Sequence, residues 1–336
     1  MSKEDWKIQK DRERMQRSIE NRRGRKNPSV LPNKLARTSA FVPRDYNLST
    51  DSDFERYYVV KGHSVVRVKG RELGTSHRDL IIALFRLKSE RLKIPLQSNQ
   101  FMIIYRVETT WREILIALDL TQHKNNLKKI LELCEDFQQV ILSVLNVTPD
   151  KFFNAENAEK LVGSGETGSI IRYINWEGDN LDSKVTLEYG AWVREQFEKK
   201  YLVSHNAEVQ MKLKSDYAKT FWPYIDSQPN HTFVDEEMLA ELAGVDLWND
   251  EYRIRKRVAK AGEGKEDEPV LFTAAQKRAE FRANCKKAMN DIVNAGGFKK
   301  WDVENRKCIN GKTRRYHYVH KLQRQLEMTL EEDENT

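Results

Sequence analysis

Residues 273–322, TAAQKRAEFRANCKKAMNDIVNAGGFKKWDVENRKCINGKTRRYHYVHKL, decide the fold. Phe281, Cys285, Ala288 and Ile292 recur at spacings of three and four, so they share one face of a helix running from about Thr273 to Ala295. Gly296 and Gly297 are placed to end it, because glycine adopts the left-handed backbone of a helix exit without penalty. FKKWDVENRKCINGKTRRYHYVHKL then reads as two strands joined near Asn310-Gly311, a dipeptide suited to a tight hairpin turn. Upstream, LKSDYAKTFWPYI predicts a helix despite Pro223. Asp235 is placed to cap a short helix, EEMLAELAGV, whose Met238, Leu239 and Leu242 face inward. A polar insertion, WNDEYRIRKRVAKAGEGKEDEP, separates the short helix from the long one. Helix, short helix, turn, longer helix and hairpin is the order of a helix-turn-helix with a wing.

The same order occurs earlier in the chain. RYYVVKGHSVVRVKG is β-rich, Ser76 with Asp79 has the form of a capping box, and Leu80, Leu84 and Leu87 follow at helical spacing. After a strand, FMIIYRVE, the pair Thr110 and Glu113 starts a short helix, WREILIALDL. In TQHKNNLKKILELCEDF, Leu127, Ile130, Leu131 and Cys134 predict one buried face, with Asn125, Lys128 and Lys129 opposite. QVILSVLNV, GSIIRYINW and VTLEY read as strands. The expected fold class is α+β, with two tandem winged-helix domains at 47–200 and 201–325. A basic, flexible arm precedes them at 1–46 (NRRGRK at 21–26), and an acidic tail follows at 326–336.

The chain has 336 residues, and 39% of them are hydrophobic, enough to build the cores of two domains. Lys and Arg number 58 against 51 Asp and Glu, a net charge of +7 that points to a polyanionic partner. Cys134, Cys285 and Cys308 are odd in number and far apart, which argues against a disulfide framework or a zinc site and fits a reducing cytoplasm. The N-terminus is charged throughout, unlike a signal peptide, and no apolar run approaches the ~20 residues of a membrane span. A cytoplasmic protein without a membrane partner is the expectation.

Two surfaces are candidates for contact with double-stranded DNA. The outer face of the long helix carries Gln276, Ala279, Arg282, Ala283, Lys286, Lys287 and Asn290. That mix suits a major groove: Arg reaches guanine, Gln or Asn reaches adenine, and Ala leaves room for a thymine methyl. The hairpin crowds Arg306, Lys307, Lys312, Arg314 and Arg315 together, where like charges repel unless an anion neutralises them. The earlier helix offers Asn125, Lys128 and Lys129, but also Glu132 and Glu135. Arg253, Arg255, Lys256 and Arg257 in the insertion fit backbone contact.

Nothing points to an enzyme, a cofactor or a metal. Gly163, Gly165 and Gly168 match G-x-G-x-x-G, but they precede a strand instead of linking a strand to a helix. There is no phosphate-binding G-x-x-x-x-G-K-[ST]. His317 and His320, three apart on a strand, point to opposite faces.

LPNKLARTSAF (31–41), GRELGTSHRDLIIALFRL (70–87) and TTWREILIALDLTQHKNNLKKILELCEDFQQVILSV (109–144) resemble plasmid replication initiators, the TrfA-type and related Rep proteins. The likeness runs from about Pro32 to Leu322 and rests on an R-D-L helix start (Arg78–Leu80) and an R-E-[IL] core (Arg112–Ile114). It implies binding to repeated sites (iterons) at a plasmid origin, opening of adjacent AT-rich DNA, and recruitment of host replication proteins such as the replicative helicase. Many members also repress their own gene, sometimes as dimers. The helices at Asn125–Lys129 and Gln276–Asn290 correspond to the family's reading helices. Gln210–Lys214 keeps only Gln and Leu of a sliding-clamp-binding pentapeptide found in some members. A winged-helix transcriptional repressor on a palindromic operator is the alternative reading of the same elements.

Overall fold

The computed structural model describes residues 29–38, 40–60, 64–96, 100–145, 147, 152, 165–228, 232–255, 268–308 and 313–320. The expectations for 1–28, Gly163, 256–267, the Asn310-Gly311 turn, Lys312 and the tail lie outside the described residues.

The first half runs β1 (Ser29–Pro32), α1 (Asn33–Ala36), β2 (Glu55–Val60), β3 (Ser64–Lys69), α2 (Thr75–Arg86), β4 (Ser89–Pro95), β5 (Phe101–Thr110), α3 (Trp111–Ala117), α4 (Lys124–Gln139), β6 (Ile141–Leu145), β7 (Gly165–Ser169), β8 (Ile171–Trp176), β9 (Lys184–Tyr189) and α5 (Ala191–Glu198). The rest runs β10 (Leu202–His205), α6 (Ala207–Lys212), α7 (Asp216–Ser227), β11 (Thr232–Asp235), α8 (Glu236–Ala243), β12 (Glu251–Arg255), β13 (Glu268–Phe272), α9 (Ala274–Asn294), β14 (Lys300–Lys307) and β15 (Thr313–His320). It is a mixed helix-and-strand fold with small antiparallel sheets. Their orders are β2-β3-β6-β7, β4-β5-β9-β8 and β11-β15-β14, with β1-β10 and β12-β13 as two-stranded pairs.

Two apolar cores form where the sequence stripes place them. In the first, Leu80, Ile81 and Leu84 of α2 pack with Val66, Val68, Leu142 and Val144 of the adjacent sheet. In the second, Phe281, Cys285, Ala288 and Ile292 of α9 meet Phe221 and Trp222 of α7, Leu239 and Leu242 of α8, and Val319 of β15. Thr110 and Glu113 close the capping box of α3, and Asp235 accepts from Glu237 N–H at the start of α8. Gly296 takes φ +80° just past α9, as a helix exit requires. Gly165 and Gly168 lie in β7. At Gly168 a Cβ would stand 2.8 Å from the Trp192 nitrogen, so close packing of α5 explains this glycine without any phosphate.

Two expectations need correction. The described part of the predicted arm is not free: β1 pairs with β10 from Ser29–His205 to Pro32–Leu202, and Leu31, Leu35 and Phe41 are buried in the first core. Each such burial contributes roughly 1.5–3 kcal/mol, enough to hold a segment whose charges alone read as solvated. Ser76 and Asp79 do not cap α2. Gly74 N–H donates to His77 Nδ1 (3.1 Å), while Ser76 N–H donates to Asp45 (2.7 Å). The ends of the polar insertion pair as β12 and β13.

Asp79 instead joins the two halves. Its carboxylate forms an ion pair with Lys219 of α7 and accepts from Gln210 Nε2 of α6 at 3.0 Å. The neighbouring Arg78 is buried and donates to the carbonyls of Phe41 (2.9 Å) and Lys219 (3.2 Å). Burial pushes the Asp79 carboxyl above its ordinary range despite Lys219, and pushes the Arg78 guanidinium down to about 10. Gln210 is fully buried in this contact, which leaves it no access to a clamp.

Candidate nucleic-acid interface

α9 is held at both ends and along its inner edge. Thr273 and Gln276 form a capping box, with Thr273 N–H donating to Gln276 Oε1 at 2.9 Å, and Ala274 N–H donates to Asp250 at 2.7 Å. Asp291 accepts from Lys214 and Ser215 N–H, both at 2.8 Å, which ties the helix to the start of α7. Near the C-terminus, Trp301 Nε1–H of β14 donates to Asn290 Oδ1 at 3.0 Å. Gln276, Ala279, Arg282, Ala283, Lys286, Lys287 and Asn290 are all exposed on the outer face, as the spacing predicts. Gln276 and Asn290 are thus already occupied in holding the helix.

Arg282 is committed as well. Its Nη2 and Nε donate to Glu236 Oε1 at 2.8 and 3.0 Å. Glu236, at the first turn of α8, has only 7% of its side chain exposed, and Arg315 of β15 lies 3.1 Å from its other oxygen. The carboxylate therefore binds α8, α9 and β15 together. His317 is buried beside this cluster, stacked on Trp301 at 5.6 Å. Burial pushes its imidazole down to about 4, helped by the cations of Arg315 and Arg282 and opposed by Glu236. Because the folded value is depressed, the neutral form supports the fold above about 6.5, and that support is lost as pH falls toward 4. Urea unfolding is expected to lose about 2 kcal/mol from this group across that window, and His317→Gln should flatten the dependence there. A variant as acid-sensitive as the parent would exclude His317 as the source.

The hairpin's crowding of like charge is relieved inside the molecule. Arg306 and Arg314 stand directly opposite each other. Arg306 pairs with Glu304 at 2.9 Å and lies over the Phe233 ring, 3.6 Å from its centroid. Arg314 pairs with Asp235 (2.9 Å) and Glu237 (3.5 Å). Crowding alone therefore calls for no phosphate, contrary to the argument from the bare sequence. Lys307 is exposed and has no acidic partner among the described residues.

On α4, Asn125, Lys128 and Lys129 are exposed as expected, and acids pair with Lys128 and with Lys124 at the helix start. Lys128 lies 3.8 Å from Glu132, and Lys124 lies 3.3 Å from Asp179. Arg112 grips Asp182 at 2.6 and 2.8 Å, which brings the acidic β8–β9 turn against the start of α4. The turn's role was invisible in sequence because it arrives from more than fifty residues away. On α9, Lys286 and Lys287 are adjacent, exposed and without acidic partners among the described residues. Alanines at 279 and 283 keep that face low.

Among the described residues, no group of three or more His, Cys, Asp or Glu is arranged to hold a metal. Likewise, no helix among them is long and apolar enough to cross a membrane. Burial pushes the Cys134 thiol up to about 12, and Cys285 also rises, so both are unreactive core residues.

No family model matches the chain, and no curated protein matches it. The chain is similar to solved structures at low identity. Domains 2 and 3 of RctB superpose with a TM-score of 0.49 at 10% identity, covering 85% of this chain and 97% of that one. A second structure of RctB domains 2-3 gives 0.48 at 10% identity, with coverages of 87% and 98%. The Pi initiator protein in complex with iteron DNA gives 0.42 at 13% identity, with coverages of 73% and 90%.

Proposed function

We propose that the chain is a plasmid replication initiator, a protein without catalytic activity that binds repeated duplex DNA sites at an origin. The observation that carries the reading is the outer face of α9, where Lys286 and Lys287 are exposed without acidic partners on a helix fixed at both ends. A fixed helix loses little freedom on entering a major groove, and a low, alanine-lined face allows close approach to base edges. In this reading α7, α8 and α9 with the β14–β15 hairpin form a winged helix. α2, α3 and α4 with the β8–β9 hairpin form another, and Lys307 follows the phosphate backbone. Arg282 and Arg315 set the angle between α9 and the wing through Glu236, and Arg306 and Arg314 stiffen the wing. The first half, with its balanced charges around α4, contributes weaker backbone contact or a surface for self-association as a dimer.

The family resemblance of residues 32–322 supplies the setting: iteron binding, opening of AT-rich DNA, recruitment of host replication proteins and repression of the initiator's own gene. Cooperative loading on neighbouring repeats would strain the adjoining duplex, and weak stacking in AT-rich DNA lowers the cost of melting it. The test is a footprint of the purified chain on DNA flanking its own gene at physiological salt. Regularly spaced protection over direct repeats, with hypersensitivity in adjacent AT-rich DNA, is expected. A single symmetric footprint over a promoter would replace this reading with an operator-binding repressor, and no protection at all would end it.

A further inference from the structure

The register of β14 and β15 pairs Trp301 with Val319, Val303 with His317, Asn305 with Arg315 and Lys307 with Thr313. Opposite residues share a face of the sheet, and alternation along each strand puts all of these on the same one. That face is turned to α9. Val319 lies in the second core, Trp301 Nε1–H donates to Asn290 of α9, and Arg315 meets Glu236, which also holds Arg282 of α9. Along β14 the face opens outward: Trp301 and Val303 are half-buried, while Asn305 and Lys307 are exposed.

Arg282, Lys286 and Asn290 follow one another at intervals of four, so they form one row along α9. The outer two are bonded to Glu236 and Trp301, which places Lys286 on the border between helix and wing. Most polar groups of this border are already engaged: Gln276, Arg282 and Asn290 hold the helix, and Arg306, Arg314 and Arg315 meet acids. Asn305, the one amide in β14 and β15, has no side-chain partner among the described residues, and Lys286 and Lys307 have none either. The acids of β14, Asp302 and Glu304, alternate onto the opposite face, so the free groups beside Asn305 are cationic.

We propose that Asn305 is a specificity-determining residue, reading the minor groove beside the major groove entered by α9 and favouring an A·T pair there. The inference rests on the DNA-binding reading of α9. In the minor groove A·T offers only the acceptors A N3 and T O2, whereas G·C adds the 2-amino group of guanine. An amide N–H bonds the bare acceptors, and the amino group stands in its way. Runs of A·T also narrow the groove and strengthen its negative potential, which suits Lys307 in the same row. Lysines carry donors alone and meet phosphate as readily as a base, so they supply attraction without this choice. Reach agrees: four residues at ~3.3 Å each put Asn305 about 13 Å beyond the Trp301 contact with α9, close to the ~12 Å width of a major groove.

The test titrates the full chain and its Asn305→Ala variant on a duplex that the parent protects in the DNA flanking its own gene, with each A·T pair replaced in turn by 2,6-diaminopurine–thymine. That pair adds the 2-amino group to the minor groove and leaves the major-groove edge as it was. A replacement beside the α9 footprint is expected to weaken parent binding about fivefold, the loss of a single hydrogen bond, and to leave Asn305→Ala indifferent. Asn305 is exposed, so thermal melting should be unchanged. Lys307→Ala should weaken binding to every duplex alike and keep the diaminopurine effect. A parent indifferent to diaminopurine, or an Asn305→Ala variant as sensitive as the parent, would overturn the Asn305 contact, and a persisting deficit in Lys286→Ala/Lys287→Ala would leave the α9 reading standing. If the parent chain itself protects no duplex, the α9 reading has failed and the Asn305 contact with it.

Discussion

Replacing Lys286 and Lys287 together by alanine is expected to weaken duplex binding about 100-fold at physiological salt, with no loss of thermal stability. Both side chains are exposed and without acidic partners among the described residues, and alanine is the better helix former, so the fold has nothing to lose. Two phosphate or base contacts at roughly 1.4 kcal/mol each give the factor. The slope of log affinity against log salt should fall by about 1.8 if both lysines meet phosphates, and by less if one reads a base. Fluorescence anisotropy over a salt series distinguishes these cases. Arg282→Ala should behave differently. It strips a bidentate partner from the buried Glu236, so its first effect is on stability and on the angle between α9 and the wing, and affinity falls as a consequence. If the lysine pair can be removed without changing affinity or slope, α9 is not the reading helix.

Lys219→Met is expected to destabilise the chain by about 3–5 kcal/mol, because it leaves the buried Asp79 carboxylate without its ammonium partner. At this size that corresponds to a fall in Tm of about 10 °C. Gln210 and Arg78 remain nearby, and Asp216 adds a further carboxylate whose own value burial raises. The sign of the pH dependence follows. A carboxyl raised in the folded state favours folding when protonated, so the variant's deficit is largest at neutral pH and shrinks as pH falls through that raised value. Asp79→Asn in the Lys219→Met background should recover part of the loss, and the double-mutant cycle gives the coupling. A deficit that is constant from neutral to acidic pH would mean that Lys219 acts through packing alone.

Local features were legible in the sequence. The stripes of α2, α4 and α9, the caps at Thr110 and Asp235, the stop at Gly296 and the final strand pair all arise from residues within one or two turns of each other. Their geometry is a property of a single element. For the same reason the outer face of α9 could be read off before any packing was known. The R-D-L of the family resemblance was visible as letters but not in its role: Asp79 meets Lys219 from 140 residues away, and this makes it a joint between halves instead of a cap. Glu236 and Arg282, 46 residues apart, show the same limit, as does the burial of Leu31, Leu35 and Phe41 that accompanies the pairing of β1 with β10. A period specifies which face of an element is apolar. Which charged side chains then meet depends on how those faces pack, so the sequence by itself determined the elements and their faces, and only the tertiary structure decided which arginines and lysines pair with acids inside the fold.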